Sequence, residues 1–299
     1  MYSLIYNIYF RLKRKQKKRE NGFLQKIVER IEWFYNIQIV KWYKKRPSSK
    51  IGVNKEHRKE KIVVSLTSYP RRISTVWITI ETLLRQSVKP DAIILWLADS
   101  QFDSVKSLPR ELLNLQKRGL SIRFCDDLRS HKKYYYAMQE YPEDIIILAD
   151  DDMFYPYNTI EKLMRMHEKY PSDICTMTAQ VIVKEKNPSE WRNPNLDECF
   201  INSNKIQIFS GSGSLYPPHS ISKKAFDKKL IRMICPYADD LWLTYMAFKQ
   251  GTRITMQHPW TAFPITIYGT GEGSLYYINA EEGQNDIQWE KLKNLDGER

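Results

Sequence analysis

The chain carries four cysteines, yet no C-x-x-C pair and no histidine at zinc-finger distance from any of them. Cys125, Cys175, Cys199 and Cys235 therefore read as buried, reduced thiols of a cytoplasmic protein, not as a disulfide framework or a zinc site. No G-x-G-x-x-G follows the first buried strand, and no G-x-x-x-x-G-K-[ST] occurs anywhere, which argues against dinucleotide redox chemistry and P-loop NTPase activity. Long apolar runs are missing too. The stretch 1–10 (MYSLIYNIYF) is half of the roughly 20 residues that a helix needs to span a bilayer. It is also a poor signal peptide, because its basic run follows the apolar residues and no small-residue cleavage site appears. No internal repeat is found.

What is present begins with an uneven charge. Of 299 residues, 42% are apolar and 27% charged, enough for a proper core in an ordinary soluble protein. Residues 1–60 hold 17 Lys and Arg against 5 Asp and Glu, while the other 239 residues hold 30 of each. The whole excess of +12 therefore sits in the first fifth of the chain. A nucleic-acid-binding enzyme more often carries its basic charge around the cleft, so no nucleic-acid partner is expected. In this extension Phe23, Leu24, Ile27, Ile31, Phe34, Tyr35 and Trp42 are interleaved with Lys and Arg. That pattern suits an anionic membrane surface, where each nearby cation contributes on the order of 1 kcal/mol. The competing reading is a helical extension packed on the core or on a second subunit. Residues 44–61 (KKRPSSKIGVNKEHRKEK) read as a linker.

From there strands and helices alternate. Strands are expected at 62–66, 92–97, 122–125 and 145–148, with helices at 76–85, 108–118 and 134–141. This predicts a doubly wound parallel sheet through about residue 152. The second half is more mixed: helices at 159–170 and 236–249, strands at 174–183 and 253–257, a polar loop at 184–200, and a loop-like tail from Gly269.

The most informative stretch is 145–156, IIILADDDMFYP. Its four apolar residues read as a strand buried on both faces. Asp150, Asp151 and Asp152 follow where the strand runs out. Three adjacent anions repel one another, and Mg²⁺ or Mn²⁺ with oxygen ligands would neutralise them. In open α/β sheets ligands gather at the carboxyl ends of strands, where this cluster falls. The competing reading is a solvated turn with Asp152 capping a helix.

Together, the opening strand and loop VVSLTSYPRR (63–72), the acidic triplet and the segment PYADDLW (236–242) resemble the GT-A glycosyltransferases, in particular bacterial enzymes of capsule and cell-surface polysaccharide synthesis. The resemblance spans residues 61–260. It implies an α/β, GT-A-like, doubly wound, mostly parallel sheet flanked by helices, here with a basic N-terminal helical extension. Residues 1–60 would be the extension and linker, and 61–299 the catalytic domain, with 61–152 binding the nucleotide-sugar and 153–299 the acceptor.

By that resemblance, a metal-dependent enzyme would move a sugar from a nucleoside diphosphate, a UDP-sugar as first choice, to a hydroxyl of a glycan or lipid-linked glycan. Asp152 would be the metal ligand, and Asp150 would bind ribose or support the metal. Thr67, Ser68 and Tyr69 would meet the nucleoside, with Asp151 beside them. Arg71 or Arg72 would pair with phosphate. Asp126 is expected to bind the nucleoside and Lys132 or Lys133 the phosphate, against the alternative of a solvated charge run. Asp240 would be the general base of an inverting reaction, with Asp239 binding acceptor or capping its helix. Gly211 and Gly213 would let the 210–214 backbone approach a sugar. Trp242 reads as core. His258 would complete the metal site, the alternative being a structural histidine. The enzyme is expected in the cytoplasm, peripheral on the inner face of the cytoplasmic membrane. Two other readings stay open: a sugar nucleotidyltransferase, which would want a glycine-rich loop after the first strand, and a non-catalytic membrane-bound scaffold, which would leave both acidic sites unexplained.

Overall fold

The computed structural model describes residues 2–18, 22–195, 198–256 and 264–295. Helices α1 (Tyr2–Lys18) and α2 (Gly22–Trp33) come first, and a π-helical stretch, Phe34–Ile39, joins α2 to α3 (Val40–Lys45). The alternating region follows as β1 (Ile62–Thr67), α4 (Val76–Leu83), β2 (Ala92–Ala98), α5 (Arg110–Asn114), β3 (Leu120–Cys125), α6 (Lys132–Glu140) and β4 (Ile145–Leu148). Beyond the acidic triplet come β5 (Met153–Phe154), α7 (Thr159–Lys169), β6 (Ile174–Thr176), β7 (Ala179–Val181), β8 (Phe200–Ser203), β9 (Ile206–Ile208) and β10 (Ser214–Tyr216). Last are α8 (Lys228–Ile234), α9 (Asp239–Gln250), β11 (Ile254–Met256), β12 (Ile265–Thr266) and α10 (Gln284–Asn294).

Eight strands form one sheet in the order β3-β2-β1-β4-β10-β6-β11-β8. β3, β2, β1 and β4 run parallel, β10 opposes both β4 and β6, β11 is parallel to β6, and β8 opposes β11. The sheet is mostly parallel, and wholly so from β3 to β4, as the alternation predicts. Period-two alternation splits its side chains between two cores. Val64, Leu66, Ile145 and Ile147 enter one, Val63, Ile146 and Leu148 the other. Both faces are covered by helices, which explains why β4 is apolar at every position. The register pairs Ser65 with Leu148, so the residues just past β1 and β4 emerge side by side at one edge.

Several expectations need correcting. The stretch 174–183 is two strands, because the chain turns at Met177, where Thr176 Oγ1 donates to Thr178 O at 2.8 Å. β6 then pairs in the main sheet, and β7 with β9. The tail from Gly269 is not all loop: α10 buries Trp289 and Leu292 in the second core. Only two of the four cysteines are buried, Cys175 and Cys235; Cys199 is exposed and Cys125 half-buried.

The N-terminal helices are packed, not pendant. Tyr6, Tyr9, Val28, Tyr35 and Ile39 belong to the same core as Ile145 and Ile147, and the Tyr35 ring lies edge-on to Phe154 with centroids 5.5 Å apart. The irregular stretch after α3 is also anchored, by Gly52 N–H on Arg118 O and Arg118 Nε on Lys50 O, each at 2.9 Å. No helix among the described residues is long and apolar enough to cross a membrane.

Candidate active site

The site gathers where β1 and β4 end. These are neighbours at the point where the strand order turns back, the usual ligand crevice of a doubly wound sheet. Ser68 Oγ donates to Asp151 Oδ2 at 2.5 Å, and Arg72 Nη1 donates to Asp151 Oδ1 at 2.7 Å. The same guanidinium nitrogen is 3.1 Å from Asp152 Oδ2. Asp151 is thus occupied on both oxygens by the β1 loop. Burial pushes the Asp152 carboxyl up to about 7 against the pull of Arg72.

Asp150 turns the other way. Its backbone N–H donates to the Tyr155 hydroxyl at 2.8 Å, and that hydroxyl donates to Gly211 O at 2.7 Å. A Cβ at Gly211 would collide with Asp150 Oδ2, so the glycine that was expected to clear room for a sugar clears it for a carboxylate. Asp150 Oδ1 accepts from Lys133 Nζ at 2.6 Å, and the same amine lies 3.0 Å from Asp239 Oδ2. Burial alone would lower the Lys133 ammonium, but Asp150, Asp239 and Asp240 outweigh it and hold it well above its ordinary value.

Asp239 and Asp240 open α9, whose free N–H groups favour anions. Their environments push them apart. Burial would raise Asp239, but Lys133 overrides it and keeps that carboxyl below its usual range. Asp240 is pushed up to about 7 by burial and then by Asp239, and accepts both the N–H of Ser210 at 3.0 Å and its hydroxyl at 2.6 Å. Ser130 lies beside Asp239, and Tyr216 beside both carboxylates of the pair, each with its hydroxyl buried.

Other expected residues are engaged elsewhere. Thr67 Oγ1 donates to Trp96 O at 2.8 Å, a bond within the sheet. Tyr69 and Arg71 meet the 269–274 loop: Tyr69 OH is 3.3 Å from Gly273 O, and the Arg71 guanidinium fills the space that a Cβ on Gly273 would take. Lys132 is buried on Asp127 at 2.6 Å. Asp126 is exposed, where a hydrogen bond from Lys228, with Arg232 beside it, lowers its carboxyl. Trp242 is core. His258 lies outside the described residues. Sequence reasoning missed Tyr155 and the Ser210 hydroxyl, whose only signal was their nearness to the acidic triplet and to Gly211.

A family model described as glycosyl transferase family 2 matches residues 63–236, more than half of the chain. No curated protein matches it. Among solved structures, the chain is similar to mannosyltransferase PcManGT from Pyrobaculum calidifontis, in complex with GDP-Man and Mn²⁺, at 14% identity and a TM-score of 0.51, over 89% of this chain and 72% of that one. It is also similar to S. aureus TarS 1–349 in complex with UDP, at 13% identity and a TM-score of 0.43, over 65% of this chain and 57% of that one. The chain belongs to glycosyl transferase family 2 and is a glycosyltransferase of the GT-A type.

Proposed function

We propose that the protein transfers a sugar, with inversion, from a nucleoside diphosphate held on the Ser68–Arg72–Asp152 side to an acceptor hydroxyl on the Asp240 side. The observation that carries this reading is the Lys133 bridge, which joins Asp150 to Asp239 while Asp240 is left near 7. A general base works best with a pKa near the operating pH. Asp240 takes the acceptor proton, the freed oxygen attacks the anomeric carbon, and the bond to the diphosphate oxygen breaks, so that the nucleoside diphosphate leaves with the electron pair. Arg72 and Lys133 supply fixed positive charge on the leaving-group side.

The donor set suits Mn²⁺ or Mg²⁺. Asp150 and Asp152 offer hard oxygens, and no group of three or more His, Cys, Asp or Glu gathers around one point among the described residues. Such ions are commonly held by one or two carboxylates, with water and substrate phosphates completing the shell. The cation would stabilise the charge that develops on the leaving diphosphate. The donor is first sought among UDP-sugars, and the acceptor among surface glycans and glycolipids. Residues 1–60 would hold the enzyme to the anionic inner face of the cytoplasmic membrane.

The test is hydrolysis of a panel of UDP-, GDP- and CDP-sugars without acceptor, with Mn²⁺, with Mg²⁺ and with EDTA. Turnover of one donor that needs the cation and disappears in Asp152→Asn supports the reading. Turnover of none, or turnover indifferent to EDTA, rejects it.

A further inference from the structure

β5, which follows the acidic triplet directly, and β12 form a ribbon of two residue pairs, Ile265 with Phe154 and Thr266 with Met153. A ribbon this short does not hold itself. Side chains from the N-terminal helices hold it. The buried Tyr6 hydroxyl donates to Phe154 O and accepts the N–H of Ile265 at 2.7 Å, touching both strands at once. Asn36 Nδ2 donates to Thr266 O at 3.1 Å, and its Oδ1 accepts the N–H of Tyr268 at 2.7 Å.

The strand held in this way runs directly to the triplet. Ile267 N–H donates to Asp152 O at 2.8 Å, and Thr270 O accepts Arg72 Nε at 3.0 Å. That guanidinium is the one paired with Asp151 and Asp152. If the helices only covered apolar surface, Phe and Leu would serve as well as Tyr6 and Asn36, without the desolvation of buried polar groups. Instead, two polar side chains satisfy four backbone groups of residues 154–268.

We propose that Tyr6 and Asn36 are positioning residues of the enzyme: through residues 264–270 they fix Arg72 and Asp152 on the donor side. The proposal rests on the assignment of the donor to that side. The N-terminal helices are then part of the donor site's scaffold, and a displacement of α1 or α2 is felt as weaker donor binding.

The test uses the full chain with Tyr6→Phe, which keeps the ring, and Asn36→Asp, which keeps the acceptor for Tyr268 and loses the donor to Thr266. Amide hydrogen exchange of 264–274 and steady-state kinetics with a nucleotide-sugar are measured together. Faster exchange in 264–274, with β1 and β4 unchanged, is expected. The donor KM should rise about three- to tenfold, the range for one neutral hydrogen bond lost, with kcat little altered. Unchanged exchange in 264–274, exchange raised evenly through the sheet, or an unchanged donor KM overturns the proposal. If the wild-type enzyme turns over no nucleotide-sugar, the donor assignment fails, and a null result in the exchange measurement then rejects the clamp on its own.

Discussion

Lys133 Nζ stands 3.0 Å from Asp239 Oδ2, and through this contact the start of α9 is tied to the end of β4, where the same amine meets Asp150. One buried cation therefore joins the two acidic sites of the enzyme.

Replacing Lys133 by Met should cost about 3 kcal/mol at pH 7, because two carboxylates would lose their buried counter-ion; the lower end of the usual range applies since the Asp150 side chain is 35% exposed. In the wild type Asp239 is held below its unfolded value, so it contributes stability above that value and loses it as the pH falls. In Lys133→Met this contribution is gone and the deficit should shrink toward pH 4. Urea midpoints at pH 7 and pH 4.5 check this; a deficit independent of pH rejects the counter-ion role.

Asp240→Asn should lower kcat by about 10²–10⁴-fold and leave the donor KM nearly unchanged. The Asp240 carboxyl faces Asp239 and Asp150, which raise it, and Lys133, which lowers it, and it is pushed up to about 7. Wild-type kcat should therefore climb as the pH rises through about 7, as the base loses its proton, and the variant's residual activity should lack that limb. If Asp239→Asn shows this pattern instead, the two roles are reversed.

Asp152→Asn should reduce transfer by about 10²-fold or more and weaken donor binding in Mn²⁺ or Mg²⁺. The melting temperature should hold or rise, since a buried carboxylate beside two others is removed. Calorimetry of donor binding with and without the cation decides; equal affinity in variant and wild type would remove Asp152 from the metal site.

His131 is fully buried, with Nε2 2.8 Å from Cys235 O, and burial pushes its imidazole down to about 4. Between the unfolded value of 6.5 and about 4 the unfolded chain takes up a proton that the folded one refuses, so stability falls with pH across that window. The loss is about 2 kcal/mol by pH 5. A His131→Gln variant should lack it, while Asp152 and Asp240 contribute to both proteins and cancel in the comparison. Parallel denaturation curves at pH 7 and pH 5 give the difference.

The run 11–19 (RLKRKQKKR) should bind vesicles containing anionic lipid, and salt should release the protein, since exposed charges are screened over about 10 Å at 0.1 M. Replacing its Lys and Arg by Gln should abolish sedimentation and leave donor hydrolysis in solution intact. Salt-insensitive binding by both proteins would point to the apolar residues instead.

The parts of the fold that were legible are those with a continuous physical signal. β4 falls at 145–148 as expected, because a strand buried on both faces must be apolar throughout. β10 has three residues and no periodicity to reveal it, yet it carries the buried Tyr216 hydroxyl beside Asp240. α10 was hidden by the Gly and Asn before it, although Trp289 and Leu292 are spaced for one helical face. In the site, the acidic residues announced themselves as repelling anions without a packing reason. Their counter-ions did not: Lys132 and Lys133 are adjacent, but one turns to Asp127 and the other to Asp150 and Asp239. The aromatic, basic N-terminus reads as an interfacial segment because a sequence shows that Tyr6 is amphipathic, not that its partner is 259 positions away.

That separation has a meaning in time. During synthesis Tyr6 is made early, and Ile265, which it must grip, is added 259 residues later. At about 5–20 residues per second the wait is on the order of tens of seconds. Throughout it Tyr6, Tyr9 and Phe10 have no completed core to enter. The β5–β12 ribbon beside the acidic triplet can close only after that interval.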